Sequence, residues 1–119
     1  LGKKIDVALT KSVLKDLLKS NDKRITIDEI QKKVSSYYNI RIDDLISSRR
    51  IRTFARPRQI AMYLSKKLTT RSLPEIGRKF GGRDHTTVIH AVKKIDELKE
   101  NDSKFDEDVN LITQMITSL

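Results

Sequence analysis

Residues 72–95 read SLPEIGRKFGGRDHTTVIHAVKKI. Ser72 and Glu75 have the spacing of a capping box, in which each side chain satisfies a backbone N–H of the other residue. We therefore expect a short helix to begin here. Gly81 and Gly82 follow it, and glycine tolerates the positive φ that a tight turn requires. A second helix is expected directly after them, so these residues have the layout of a helix-turn-helix.

The first turn of this second helix is polar. Asp84 is placed as its N-cap, and its apolar stripe begins only at Val88. In a recognition helix the N-terminal residues face the bases of the major groove, where His, Thr and Asp can each contact base edges. The pattern favours base contact over simple exposure for His85 and Thr86. Capping is the alternative role for Asp84 and Thr87, and for Asp84 the two roles are equally open.

The positive charge of the chain is concentrated around this motif. The formal net charge of the whole sequence is +9. Residues 41–94 contain 14 Lys and Arg against four Asp and Glu, whereas the rest of the chain contains 11 against 12. A localised basic patch indicates a nucleic-acid partner. Lys66, Lys93 and Lys94 lie on the flanking helices, where phosphate contact competes with an ordinary solubilising role.

An Arg-rich segment precedes the motif. It spans residues 49–58, with the sequence RRIRTFARPR, and its apolar periodicity is weak. We interpret it as a basic loop that ends at Pro57, a residue suited to the first turn of a helix. A loop anchored between two helices can lie across a phosphate backbone or place an Arg in a narrow minor groove. The alternative is a solvated charge run. Phe54 is better explained as a core anchor than as a base-stacking group.

The remaining sequence predicts helices and no strand. Thr26 and Glu29 have capping-box spacing, and Ile25 and Ile30 are placed for a hydrophobic staple. Apolar residues recur at helical spacing in every predicted segment. The predicted helices are about 4–19, 27–38, 57–69, 73–80, 85–98 and 104–117, with a single turn at 43–46 and a loop at 101–103.

Composition argues against several classes of protein. The chain has no Cys, which excludes disulfides and thiolate metal sites. It has no apolar run near the roughly 18 residues of a membrane span and no signal-peptide core at its start. We therefore expect a cytoplasmic protein. Leu1 stands where Met would begin a chain, so we expect part of a longer protein.

Enzymatic motifs are incomplete. The segment 77–82 has the glycine spacing of a phosphate loop, but Arg83 and Asp84 follow where that motif needs Lys and then Ser or Thr. His85 and His90 are five residues apart, whereas two metal ligands on one helix face are four apart. We predict that this chain is not an enzyme and binds no metal or cofactor of its own.

Three ordered blocks of this sequence resemble the C-terminal DNA-binding domain, domain IV, of the DnaA family of bacterial replication initiators. The blocks are ITIDEIQ at 25–31, Arg49-Arg50 with ARPRQ at 55–59, and SLPEIG at 72–77 continuing into GGRDHTTVIHA at 81–91. The resemblance covers residues 25–119. One departure is Ser48, where many members carry Lys.

The resemblance implies a set of DNA contacts. It implies that Arg50 reads bases in the minor groove, while Asp84, His85 and Thr86 read bases in the major groove. The residues implied to contact mainly phosphates are Arg58, Gln59, Lys66, Leu73 (through its backbone), Thr87 and Lys94.

The resemblance also implies an architecture and partners. The fold would be an all-α, Trp repressor-like helix-turn-helix bundle at 23–119, preceded at 1–22 by a connector helix from an ATPase domain. The ligand would be double-stranded DNA carrying the DnaA box, TTATNCACA, at a replication origin. The domain would bind it as a monomer because the box is asymmetric. ATP or ADP binding would belong to the full-length family protein.

Three alternatives are kept open. A transcriptional regulator with the same motif would read a palindromic site as a stable dimer. The helix predicted at 4–19 has a lysine-rich polar side, which suits acidic phospholipid, although a connector with a solvated face is favoured. The acidic cluster at 106–108 would suit a protein partner.

Overall fold

Six helices make up the part of the chain that the structure, a computed structural model, describes, which is residues 25–118. No strand is present in that range. The connector helix and lipid-binding face predicted within residues 1–22 lie outside the described residues. The helices are α1 (Ile27–Tyr38), α2 (Ile42–Leu45), α3 (Arg52–Leu68), α4 (Leu73–Lys79), α5 (His85–Asn101) and α6 (Ser103–Thr117).

Helix α1 begins and ends where local signals place it. The Thr26 side chain accepts a hydrogen bond from the Glu29 N–H at 3.1 Å. Ile25 and Ile30 are both buried, as a hydrophobic staple requires. Asn39 ends the helix with a φ of 53°, in the left-handed region that Asn tolerates better than most residues. The predicted start and end of this helix are confirmed.

The start of α3 corrects the prediction of a basic loop at 49–58. The helix begins at Arg52 rather than at Pro57, and Pro57 lies within its second turn. Pro57 lacks the N–H that would donate to the Thr53 carbonyl, and its ring crowds that carbonyl, yet the helix continues through it to Leu68. Arg58 is buried and donates to the Leu45 carbonyl at 2.7 Å, which ties the helix to α2. This tertiary contact outweighs the weak local pattern.

Helices α4 and α5 form the predicted helix-turn-helix. Ser72 and Glu75 make both halves of the capping box at the start of α4. Gly81 and Gly82 have φ values of 83° and 77° in the turn. Asp84 caps α5 through the N–H of Thr87. The motif is confirmed, together with the signals that predicted it.

The connection between the last two helices is shorter than expected. Helix α5 continues to Asn101 rather than ending near Leu98, and the predicted loop at 101–103 is reduced to Asp102. Asp102 ends α5 and also caps α6, because its side chain accepts from the Phe105 N–H at 3.1 Å. One residue therefore satisfies backbone groups of both helices, and no longer loop is needed.

The core is a single apolar cluster to which every helix contributes. Helix α3 lies at its centre and packs against α1, α2, α4 and α5. The largest fully buried side chains include Phe80, Ile30, Ile60, Ile95 and Ile112. Phe80 precedes the two glycines, so the motif is anchored in the core at its turn. None of the helices in residues 25–118 is both long and apolar enough to cross a membrane.

Candidate nucleic-acid interface

The N-terminal tip of α5 is held by its cap and projects from the fold. The Asp84 Oδ1 atom accepts from the Thr87 N–H at 3.0 Å and from the Thr87 hydroxyl at 3.1 Å. These hydrogen bonds hold the pKa of the Asp84 carboxyl below its ordinary value. His85 and Thr86 are exposed. The cap thus fixes the backbone of the first turn while these two side chains remain accessible.

Arg50 lies on the short segment between α2 and α3 and borders the same surface groove as Thr87, in the first turn of α5. It is exposed, as is the neighbouring Arg49, whose guanidinium carbon lies 5.9 Å from the centre of the Phe54 ring. Phe54 is half-buried and packs against that guanidinium rather than within the central core cluster. The segment therefore presents adjacent arginines to solvent, one resting on an aromatic ring.

A groove runs between this segment, α3 and α5. Its volume is about 520 Å³, and four of the ten predicted contact residues line it. Most of its lining side chains are basic or hydrogen-bonding, and its apolar lining includes Ile46, Met62 and two alanines. The predicted residues that it brings together are Arg50, Arg58, Gln59 and Thr87.

Arg58 is the most buried of the predicted phosphate-contacting residues, at 6% exposure. Its Nε donates to the Leu45 carbonyl at 2.7 Å, and its Nη2 donates to the Asp44 carbonyl at 3.4 Å and to the Ser47 hydroxyl at 3.5 Å. Burial, and then the nearby positive charge of Arg83, lower the pKa of Arg58 to about 10. Most of this guanidinium is therefore committed to holding the backbone of α2.

The polar side chains of Gln59 and Thr87 each already make a hydrogen bond within the domain. The Gln59 Oε1 atom accepts from Arg56 Nη1 at 3.0 Å, which leaves the amide NH₂ as the donor that would meet a phosphate. The Thr87 hydroxyl proton is directed at Asp84. A phosphate contact by Thr87 therefore requires its hydroxyl to rotate away from Asp84, because its backbone N–H is donated to the same carboxyl group.

The remaining predicted residues lie outside the groove. Lys66 is exposed in the last turn of α3, and Lys94 is exposed on α5, as is Lys93. Leu73 is the first residue of α4, where a helix leaves backbone N–H groups without an intrahelical acceptor. Asp84, His85 and Thr86 form the tip itself.

Two residues of this surface were not assigned a role by the sequence. His90 lines the groove one turn after Thr86, and the i, i+4 spacing of a helix face was the signal available for it. Arg83 also lines the groove, and its guanidinium donates to carbonyl groups of the segment before Arg50. Those partners are more than 30 residues away, so no local pattern reveals them.

Comparison with known proteins links this arrangement to one family. A family model described as the helix-turn-helix of the bacterial DnaA protein matches residues 27–95. Chromosomal replication initiator proteins DnaA of Roseobacter denitrificans and Gluconobacter oxydans are 56% and 58% identical over 116 residues, which is 98% of this chain. The match covers 26% and 24% of those two proteins, so the chain spans about a quarter of their length.

A solved structure of a related protein shares the fold of this chain. The crystal structure of a DNA replication initiation factor matches 97% of this chain with a TM-score of 0.70 and 32% sequence identity. The match covers 35% of that chain. The all-helical architecture is therefore shared with a protein of replication initiation.

Proposed function

Because the chain belongs to the bacterial DnaA helix-turn-helix family, we propose that it binds double-stranded DNA at the DnaA boxes of a replication origin. This binding would serve the initiation and regulation of chromosomal replication. The observation that carries the proposal is the capped, exposed tip of α5 beside a basic groove. His85 and Thr86 are exposed in this turn, as base contact by the N-terminal residues of a recognition helix requires.

In this proposal α5 enters the major groove with its first turn toward the bases. His85 donates to a purine N7 or O6, and the Thr86 methyl group packs against a thymine methyl. Asp84 accepts from an amino group of cytosine or adenine while continuing to cap the helix. The cap matters for recognition because base contacts require the first turn to stay in one geometry.

The minor groove is assigned to Arg50. An Arg inserted there is attracted by the negative potential of a narrow groove, and it responds to groove width rather than to a unique base pattern. Arg50 is exposed, and only Ile51 separates it from α3, whose N-terminal half carries further arginines. This short connection limits the positions that Arg50 can adopt relative to α5.

Phosphate contacts would fix the register of the domain on the duplex. We assign them to Lys66, Lys94, the Gln59 amide and the backbone of Leu73, with Thr87 through its hydroxyl. The buried guanidinium of Arg58 would reach a phosphate only through its remaining donor, Nη1. Contacts of this kind carry most of the affinity and little of the sequence information.

One domain would bind one box as a monomer. The box is asymmetric, and the two reading elements, Arg50 and the tip of α5, are present in a single chain. Two-fold symmetric binders instead read palindromic half-sites. In this proposal the chain binds DNA and does not itself catalyse a reaction.

The direct test is an equilibrium titration of labelled duplexes followed by fluorescence anisotropy. One duplex contains a single TTATCCACA box, and the other contains the same bases scrambled. Titrations at two salt concentrations separate specific from electrostatic binding. The proposal predicts a preference for the box that persists at the higher salt, as one complex per duplex. Equal, salt-sensitive binding to both duplexes would contradict it.

A further inference from the structure

The guanidinium of Arg83 joins the turn of the helix-turn-helix to the segment that carries Arg50. Its Nη1 donates to the Ile46 carbonyl at 3.3 Å and also to the Phe80 carbonyl. Its Nη2 donates to the Ser47 carbonyl. Arg83 therefore bridges two parts of the chain that are more than 30 residues apart in sequence.

Together, Arg83 and Arg58 hold four consecutive carbonyl groups. Arg58 contacts those of Asp44 and Leu45, and Arg83 contacts the next two. The Ser47 hydroxyl adds a further link, since it donates to the Asp44 carbonyl at 2.7 Å. The backbone from the end of α2 to the start of the Arg50 segment is thus fixed by cations from two different elements.

The turn itself approaches the same backbone closely. Gly81 has a φ of 83°, and a Cβ added to it would lie 2.5 Å from the Ile46 carbonyl oxygen. Only glycine permits this approach, which brings Ile46 within reach of Arg83. The turn therefore contacts the Ile46 carbonyl both through the backbone of Gly81 and through the side chain of Arg83.

Placing two partly buried guanidinium groups close together costs folding free energy. Arg58 and Arg83 are near enough for their charges to repel, and burial lowers the pKa of Arg83. Within residues 25–118 neither guanidinium forms a salt bridge. Charge-assisted hydrogen bonds to carbonyl groups offset the cost, and the planar fork of Arg spans two such acceptors in a way that Lys does not.

Because of its place in the chain, Arg83 connects the two parts of the domain that are proposed to read DNA. Its backbone directly precedes Asp84, the cap of α5, while its side chain holds Ser47, three residues before Arg50. Three residues span at most about 11 Å. We propose that Arg83 is a positioning residue, which holds Arg50 in register with His85 and Thr86 and so couples minor-groove reading to major-groove reading. This inference rests on the proposed function.

Two simpler roles for Arg83 make different predictions. If Arg83 only contacted DNA, its loss and the loss of Arg50 would reduce affinity independently. If it only stabilised the fold, its replacement would lower stability without changing what Arg50 contributes. A positioning role instead makes the contribution of Arg50 depend on Arg83, and a double-mutant cycle measures that dependence.

The experiment measures the effect of Arg50→Ala in three backgrounds. These are the unchanged protein, Arg83→Lys, and Arg78→Lys as a matched control, since Arg78 is exposed on α4 and makes the same chemical change. The readout is the ratio of affinities for the TTATCCACA duplex and the scrambled duplex. We expect Arg50→Ala to lower this ratio about tenfold in the unchanged and Arg78→Lys proteins, and about twofold or less in Arg83→Lys. Equal reductions in all three would overturn the inference.

A second variant loosens the same segment while leaving the Arg83 hydrogen bonds in place, and so tests whether the position of this backbone sets the contribution of Arg50 even if Arg83→Lys does not fold. Ser47→Ala removes the hydroxyl that links Asp44, Arg58 and the Arg49 N–H. Ser48→Ala is its control, on the exposed neighbour. The effect of Arg50→Ala should shrink in the Ser47→Ala background and stay unchanged in the Ser48→Ala background.

The outcomes separate this inference from the proposed function. If the unchanged protein does not distinguish the box from the scrambled duplex, both are wrong. If it prefers the box, but Arg50→Ala has the same effect with and without Arg83 and Ser47, only the inference is wrong.

Discussion

The carbonyl oxygen of Arg83 lies where a side chain at position 77 would begin. A Cβ added to Gly77 would come within 2.0 Å of that oxygen. In the same contact the Arg83 N–H donates to the Gly77 carbonyl at 2.9 Å. The two helices of the motif therefore meet backbone to backbone, and this contact sets the direction in which α5 leaves the turn.

Gly77→Ala should destabilise the fold strongly. The new methyl group meets backbone rather than a flexible side chain, so the turn itself has to move, at a cost of about 3 kcal/mol or more. Gly82→Ala is the comparison, because space is open around Gly82 and the only penalty there comes from its positive φ of 77°. Its cost should be about 1–2 kcal/mol. Urea unfolding measures both, and equal losses would contradict the account of this contact.

His85→Ala and Thr86→Ala should relax sequence preference. Each removes a base contact and should cost roughly 1–3 kcal/mol on the box, with little change on scrambled DNA. The side chains are exposed, so the thermal unfolding midpoint should stay close to that of the unchanged protein. Competition titrations give the ratio of affinities. An unchanged ratio in both variants would show that this turn does not read the bases.

Lys66→Ala should weaken binding to every duplex by a similar factor. Lys66 is exposed at the end of α3, where it would meet a phosphate without sequence information. The slope of log affinity against log salt should become shallower by roughly one unit. Lys104→Ala makes the same charge change on α6, away from the predicted interface. A matching change of slope in Lys104→Ala would indicate a general charge effect instead.

Tyr38→Phe should reduce the loss of stability at alkaline pH. Burial, followed by the neighbouring Tyr37 and Asp108, raises the pKa of Tyr38 from 10.0 to about 12. Because the folded protein holds this proton more tightly than the unfolded chain, the hydroxyl contributes its full stability below pH 10 and loses it as the pH rises through 12. Unfolding free energies between pH 9 and 12 should fall less steeply in Tyr38→Phe. Parallel curves would contradict the assignment.

The local signals in the sequence were sufficient for the helix-turn-helix. Caps at Thr26, Ser72 and Asp84 and the glycine pair in the turn act between residues at most four apart, so the sequence displays them directly. The polar first turn of α5 was likewise readable, because the apolar stripe begins only at Val88. These features define the motif and the tip of the candidate site.

The segment before α3 was not predictable in the same way. Its helical start at Arg52 depends on Arg58, whose partners on α2 lie 13 and 14 residues earlier. The link from Arg83 to Ser47 spans 36 residues. Hydrogen bonds of this kind arise only when the bundle has formed, and exposed and buried arginines look alike in a sequence.

The central claim is that one domain reads a single box through two elements in adjacent grooves. The most direct measurement is the affinity for nine duplexes, each with one position of the box substituted, for the unchanged protein, Arg50→Ala and His85→Ala. The account predicts that each variant loses discrimination at its own contiguous set of positions, and that the two sets lie side by side without overlapping. Loss at the same positions in both variants, or at none, would contradict it.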